Sequence, residues 1–302
     1  MADLITNFLT ADIRTATPLL LAALGLVFSE RAGIVNIGTE GIMLTGALMG
    51  CLGSYLTGSA MLGALLAVLS GGIMGLIFAY FTVTLRSNQI VVGTAFNIFA
   101  TGFTVTVNRL ALNGAKVKGF PVYQIPVLSK IPVIGKVFFR WSLPVYFAFL
   151  IVPVCWFVLQ KTNIGLKIRA VGEHPKACDT VGINVFAIRY GTIIFSGLLA
   201  GLAGSFVSMG QLSAFTEGMV AGKGFMALAV CVFGNYYPTT VMGAALLFGA
   251  ADALKYRLLT TSLAGQYQFL NMLPYAITII ALCAFAKKSN KPVCSGVPYR
   301  KE

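Results

Sequence analysis

Long apolar runs alternate with short polar punctuation along this chain, and the spacing predicts helices that cross a bilayer. No charged residue occurs between Glu40 and Arg86, between Arg189 and Glu217, or between Lys223 and Asp252. Each of these runs exceeds the ~20 residues that a membrane-spanning helix needs. Nine crossings are read from the pattern: 15–29, 41–57, 60–85, 89–108, 142–159, 190–209, 219–233, 238–254 and 269–286. The span 60–85 is long enough to tilt. Spans 15–29 and 219–233 are short, and each adjoins a Gly-rich, charged segment, the sequence sign of a broken helix.

The two halves match in outline. Four spans lie within 15–108 and four within 190–286, with 142–159 between them. An odd number of crossings between equivalent elements makes the repeat inverted in the membrane. Thr39-Glu-Gly-Ile-Met43 and Thr216-Glu-Gly-Met-Val220 fall at comparable places, after the first span of each half. The expected fold class is therefore all-α. It is a polytopic membrane protein of about nine transmembrane helices in two inverted repeats with broken helices, forming one domain over 1–302. Gly46/Gly50, Gly71/Gly75 and Gly197/Gly201 have the small-x-x-x-small spacing that lets helix backbones approach closely.

One polar island interrupts the apolar sequence at 161–189. Within it Pro175 is placed to open a short helix and Gly182 to stop it. A capped, charged helix displayed between two spans offers a surface to a soluble partner. The basic tail (Lys287, Lys288, Lys291, Arg300, Lys301) argues for a cytoplasmic C-terminus. Nine crossings then put 161–189, with five basic residues, inside and 109–141, with six, outside. The charge rule alone gives this orientation only a slight preference.

Composition agrees with the membrane class: 57% hydrophobic residues, 10% charged and a mean hydropathy of +0.85. The net charge of +13 is spread through loops and tail, which argues against a nucleic-acid partner. The N-terminus lacks a basic segment followed by a cleavage site, so no removed signal peptide is expected. The six cysteines show no C-x-x-C and no metal-ligand spacing. Ala221-Gly-Lys-Gly224 is not a nucleotide site. A phosphate-binding loop needs Gly at 217 and Ser or Thr at 224, where Glu217 and Gly224 stand.

Two stretches carry a family resemblance. Phe28-Ser-Glu-Arg-Ala-Gly-Ile-Val-Asn-Ile-Gly-Thr-Glu-Gly-Ile-Met43 is one. Gly165-Leu-Lys-Ile-Arg-Ala-Val-Gly-Glu-His-Pro-Lys-Ala177, followed by Ser196-Gly-Leu-Leu-Ala-Gly-Leu-Ala-Gly204 and Gly222-Lys-Gly-Phe-Met-Ala-Leu-Ala229, is the other. They resemble the permease subunits of bacterial ABC importers, in the branched-chain amino acid and simple sugar permease superfamily. The nucleoside importer branch is the most similar, and the tail Gly296-Val-Pro-Tyr-Arg-Lys-Glu302 also fits it. His174 stands where that family usually has Asn, and Cys178 where a second Ala is common.

The resemblance implies a non-enzymatic permease in the bacterial plasma membrane. Its partners would be an ABC ATPase subunit inside, a second homologous permease and an extracytoplasmic substrate-binding lipoprotein. No cofactor belongs to this chain, since ATP and Mg²⁺ sit on the ATPase. Nucleosides lead as the small-molecule substrate, with riboflavin and simple sugars open. A secondary transporter driven by an ion gradient is the alternative, because it also uses inverted repeats and broken helices.

Individual polar residues remain ambiguous on the sequence. Asn36 and Glu40, in the first Gly-rich segment, are candidates for the substrate pathway because ionisable groups at membrane depth are functional suspects. Asn97 could bond a neighbouring helix or, with Phe96 and Phe99 beside it, contact a flat base. Glu217, Lys223 and Phe225 bracket the second Gly-rich segment and could line the same route. Glu30 and Arg31 could neutralise one another, and Asp252 could pair with Lys255 one turn later. Arg169, Glu173, His174, Pro175 and Lys176 form the candidate ATPase-docking surface. No catalytic cluster and no metal site emerges.

Overall fold

A computed structural model of the chain describes residues 2–124, 137, 139–258, 272, 276 and 290–300. These residues are mostly helical. The helices are α1 (Ala2–Arg31), α2 (Thr39–Thr57), α3 (Ala60–Ala79), α4 (Gln89–Val107) and α5 (Leu143–Lys161). They continue with α6 (Asn163–Glu173), α7 (Pro175–Thr180), α8 (Val185–Ser205), α9 (Lys223–Phe233) and α10 (Pro238–Leu258). Helices α3, α4 and α8 each run on into a π-helical turn, at Tyr80–Thr84, Asn108–Leu112 and Phe206–Leu212.

Among the described residues five helices are long and apolar enough to cross a membrane: Ile5–Arg31, Ala60–Thr84, Gln89–Leu112, Leu143–Lys161 and Val185–Leu212. The predicted span 269–286 lies outside the described residues. Two expectations need correction. The first span is not short, because α1 continues back to residue 2 and carries Asp12 and Arg14 within it. The segment 109–141 holds a two-stranded antiparallel ribbon, Val122–Gln124 against Arg140–Ser142 with Tyr123 opposite Trp141, which a purely helical reading missed. Strands of three residues are too short to leave an alternating apolar run to detect.

Helix α1 is the hub. Leu19, Leu21, Leu24, Leu26 and Val27 are fully buried, against α8, α9 and α10. It ends in a Schellman turn: Gly33 (φ +84°) donates to Glu30 O and Ile34 donates to Ser29 O. That turn begins the first break, 32–38. The second, 213–222, follows the π-helical end of α8 and includes Gly218 (φ +67°) and Gly222 (φ +83°). At both places irregular backbone separates two helices.

The small-residue spacing is used as expected. Helix α3 packs on α8, with Gly71 and Gly75 against Gly197, and Gly71 and Ala67 against Gly201. Helix α2 crosses the same stretch of α8, where a Cβ on Gly46 would lie 2.5 Å from the Gly201 carbonyl oxygen. Lipid supplies no hydrophobic drive for helix association, so this backbone-to-backbone contact is what holds the three helices together.

A methyl group at 201 would overlap the Ala67 carbonyl, whereas one at 191 meets nothing within 4 Å. Gly201→Ala should therefore destabilise the detergent-purified protein by about 1–3 kcal/mol. Gly191→Ala should leave its thermal unfolding unchanged or raise the midpoint.

Candidate functional site

The two breaks meet at one carboxylate. Glu40 lies in the first turn of α2, and its Oε1 accepts from Gly222 N at 2.8 Å while Oε2 accepts from Gly224 N at 2.6 Å. It thus caps the N-terminus of α9, whose cap residue Gly222 has no side chain to offer. An anion between two helix N-termini is favoured by both helix dipoles. The approach is close enough that a Cβ on Gly224 would stand 2.5 Å from Glu40 Cα. Lys223 lies within electrostatic reach of Glu40 and of Asp252.

Helix α4 braces the same junction. Asn97 Oδ1 accepts from Gly41 N at 2.8 Å, and Asn97 Nδ2 donates to Ile37 O at 3.1 Å. The two ends of the amide are therefore spent on the backbone of the first break and of the first turn of α2. Gln89 adds a third clamp, accepting from Val35 N at 2.8 Å. Asn36 is fully buried inside the break, yet neither its Oδ1 nor its Nδ2 has a hydrogen-bond partner. Such an amide is costly unless something polar reaches it in another state.

Phe96 faces inward, edge-on to Phe78 (5.6 Å) and Phe81 (6.4 Å). The outward aromatic pair on α4 is Phe99 stacked on Phe103, with centroids 5.8 Å apart. Asn97 explains the arrangement: with its amide turned to α2, the residues on the opposite side of α4 look away. Phe225, one residue beyond the Glu40 clamp, is 48% exposed. A cavity of about 370 Å³, lined by Phe28, Cys155, Ile168 and Phe195 among others, includes none of the candidate pathway residues.

Structure thus gathers Asn36, Glu40, Phe96, Asn97, Lys223 and Phe225 around one junction, and separates Glu217 from them. Glu217 sits in the turn before α9 and is bonded by Arg109, Nε to Oε1 at 2.9 Å and Nη2 to Oε2 at 3.2 Å. That guanidinium holds the exposed Glu217 carboxyl below the usual range. The Thr-Glu-Gly correspondence is also corrected: Thr39-Glu-Gly41 opens α2, while Thr216-Glu-Gly218 runs into a turn. Gly33 and Gly218, both left-handed and both followed by a buried aliphatic residue (Ile34, Met219), are the positions that correspond in conformation.

Glu30 and Arg31 do not pair with each other. Arg31 Nε donates to Tyr236 O at 3.1 Å and its guanidinium lies 4.9 Å from the centre of the Tyr237 ring. Asp252 does bond Lys255, at 3.1 Å.

The polar island forms two helices, not one. Thr162 caps α6, accepting from Gly165 N, and α7 opens at Pro175 and closes on Gly182 (φ +80°). His174 and Lys176 are exposed and Pro175 is buried. Arg169 is half-buried, and Glu173 accepts from Val293 N at 3.2 Å, so Glu173 faces the chain's own C-terminal segment rather than outward. Sequence reading missed Gln89, Phe103 and the buried Arg189, which carry no motif; Gln89 and Arg189 act through neighbours distant in the chain.

Residues 8–282 match the family described as branched-chain amino acid transport system / permease component. The chain belongs to this permease family. It is similar to the guanosine ABC transporter permease protein NupQ of Bacillus subtilis (strain 168), 38% identical over all of this chain and 98% of that one. It is 39% identical to the nucleoside ABC transporter permease protein NupC of Lactococcus lactis subsp. cremoris (strain MG1363), over 95% and 94% of the two chains. A second B. subtilis protein, the guanosine ABC transporter permease protein NupP, is 28% identical over 78% of this permease and 70% of its own length.

Removing the Glu40 carboxylate strands two amide hydrogens, and losing the Asn97 amide strands one amide and one carbonyl. Glu40→Ala and Asn97→Leu should each lower stability by roughly 1–3 kcal/mol per stranded group, read as the unfolding midpoint in detergent. Asn97→Asp keeps the acceptor for Gly41 N but sets a second oxygen against Ile37 O, and should lose at least as much as Asn97→Leu.

Proposed function

We propose that this permease is the transmembrane subunit of an ATP-driven ABC importer for nucleosides. NupQ and NupC, which match over nearly its whole length, carry guanosine and nucleoside names, and that similarity carries the substrate assignment. The assembly pairs this chain with a second, different permease. B. subtilis has two guanosine permease proteins that both match this chain, which supports a heteromeric pair. An ABC ATPase subunit and an extracytoplasmic substrate-binding lipoprotein complete it, in a bacterial plasma membrane. ATP and Mg²⁺ are held by the ATPase and not by this chain.

The substrate route runs along the outer face of α4 and the start of α9, with the second permease opposite. Phe99, Phe103 and Phe225 offer flat apolar surface there, suited to a base. Asn36, Glu40, Phe96, Asn97 and Lys223 form the wall behind them. Contacts stay few and weak, because a carrier that bound tightly would not release. Two inverted repeats put the breaks at the midplane. Reciprocal packing supports this, since α3 of the first half lies on α8, and α10 of the second half lies on α1.

The ATPase docks on α6–α7 from the cytoplasm, through Arg169, His174, Pro175 and Lys176, with Glu173 tying α6 to the C-terminal segment. The tail supports the assignment of sides. Its basic residues favour the cytoplasm, and it binds α6 directly.

Reconstituted with its lipoprotein, ATPase and second permease, the complex should take up labelled nucleoside only when ATP is inside with the ATPase. Competition by purine and pyrimidine nucleosides, but not by riboflavin or a simple sugar, checks the substrate. Uptake by this chain alone under a Na⁺ or H⁺ gradient would favour a secondary carrier instead. Lys176→Glu should reduce uptake roughly tenfold, as 1.4 kcal/mol of lost docking would, with membrane insertion unchanged.

A further inference from the structure

We propose that the C-terminal segment 290–300 is the transmission strap that carries movement of α6–α7 to the first break, with Arg189 as its positioning residue. This rests on the reading that α6–α7 receives the ATPase.

The segment touches every part that such a role requires. At α6, Cys294 N donates to Gly172 O at 3.0 Å, Val293 N donates to Glu173 Oε2 at 3.2 Å, and Cys294 Sγ donates to Glu173 O at 3.2 Å. Gly172 O and Glu173 O are carbonyls at a helix C-terminus, which have no intrahelical donor. At the break, Gly296 N donates to Gly33 O at 3.0 Å. At the α9–α10 turn, Asn290 N donates to Asn235 Oδ1 at 2.7 Å, and Arg31 Nη1 donates to Asn290 O at 3.4 Å. Beyond the break, Tyr299 is buried edge-on to Phe186 of α8, with centroids 5.7 Å apart.

No slack separates these contacts. A side chain at Gly33 would begin 3.0 Å from Cys294 O and 3.3 Å from Arg189 Nη2. One at Gly172 would overlap the Arg31 carbonyl and stand 3.2 Å from Pro292 Cβ. The end of α6, the end of α1 and the strap are therefore stacked backbone on backbone. Close-packed elements transmit displacement by repacking as a unit.

Arg189 shows that the strap has a second arrangement available. Its side chain is 1% exposed and donates through Nη1 to Val297 O at 3.3 Å, while Nε and Nη2 have no hydrogen-bond partner. A buried guanidinium satisfied by one carbonyl is an expensive bolt, and an apolar side chain would hold the strap at lower cost. Nη2 lies beside Gly33, where the Cys294 carbonyl also approaches, so a shift of the tail presents a new acceptor there. Neither Arg189 nor the tail lines the proposed substrate route.

The test uses the assembled transporter in proteoliposomes. Arg189→Met should keep assembly and basal ATP hydrolysis but lower nucleoside taken up per ATP hydrolysed by about tenfold, the effect of one charge-assisted hydrogen bond. Arg189→Lys should restore part of that ratio, and removal of 290–302 should reproduce the loss. An assembled, hydrolysing Arg189→Met complex with an unchanged ratio overturns the strap. If Arg189→Met fails to assemble, amide exchange in the wild-type complex decides. The Cys294 and Gly296 amides must change protection when ATP binds the ATPase, and unchanged protection overturns the proposal. Cross-links from the ATPase that avoid 174–180 would instead overturn the docking reading.

Discussion

A single carboxylate joins the two halves of this permease. Glu40 sits at the N-terminal end of α2 and accepts two backbone hydrogens from the N-terminal end of α9. Without an anion there, the positive ends of α2 and α9 would face each other at short range. With it, two segments of irregular backbone become a joint. Asn97 and Gln89 then fix the first segment from α4, and Gly224 is small because Glu40 occupies the space its side chain would need.

The joint explains why the surrounding bundle is built from small residues. Carboxylate and amide reach only a few ångströms, so α2 must be held against α8 and α3 at backbone contact for Glu40 to meet α9. Gly46, Gly71, Gly197 and Gly201 provide that closeness. The bundle gives up side-chain burial along this seam and gains proximity, a fair exchange where lipid is as apolar as leucine. Asn36, fully buried with both amide atoms unpaired, is the place where the joint is least satisfied in this conformation.

On the face of α4 turned away from the joint, Phe99 and Phe103 stand stacked and exposed. At the ends of α1 and α6, the Arg31 and Gly172 backbones lie against each other. One helix break is therefore in contact both with the wall of the proposed route and with the helices proposed to receive the ATPase. Few residues separate the two, because α1 ends where the break begins.

Uncharged runs and glycine spacing determined the membrane class, most helix positions and the capped helix from Pro175 to Gly182, because these depend on neighbours one or two turns away. The motifs around Glu30 and Arg169 were enough to place the family. Partner choice was beyond them. Asn97 could have faced substrate or backbone, and only the crossing of α4 over α2 decided for the Ile37 carbonyl and the Gly41 amide. Glu40 and Glu217 share the same local triplet, yet one caps a helix 182 residues away and the other bonds Arg109 at the surface. Arg189 carried no local signal at all. A buried polar side chain takes its role from whichever orphan backbone group the fold brings within hydrogen-bond reach, and that proximity is a property of the packed bundle and not of the sequence around the residue.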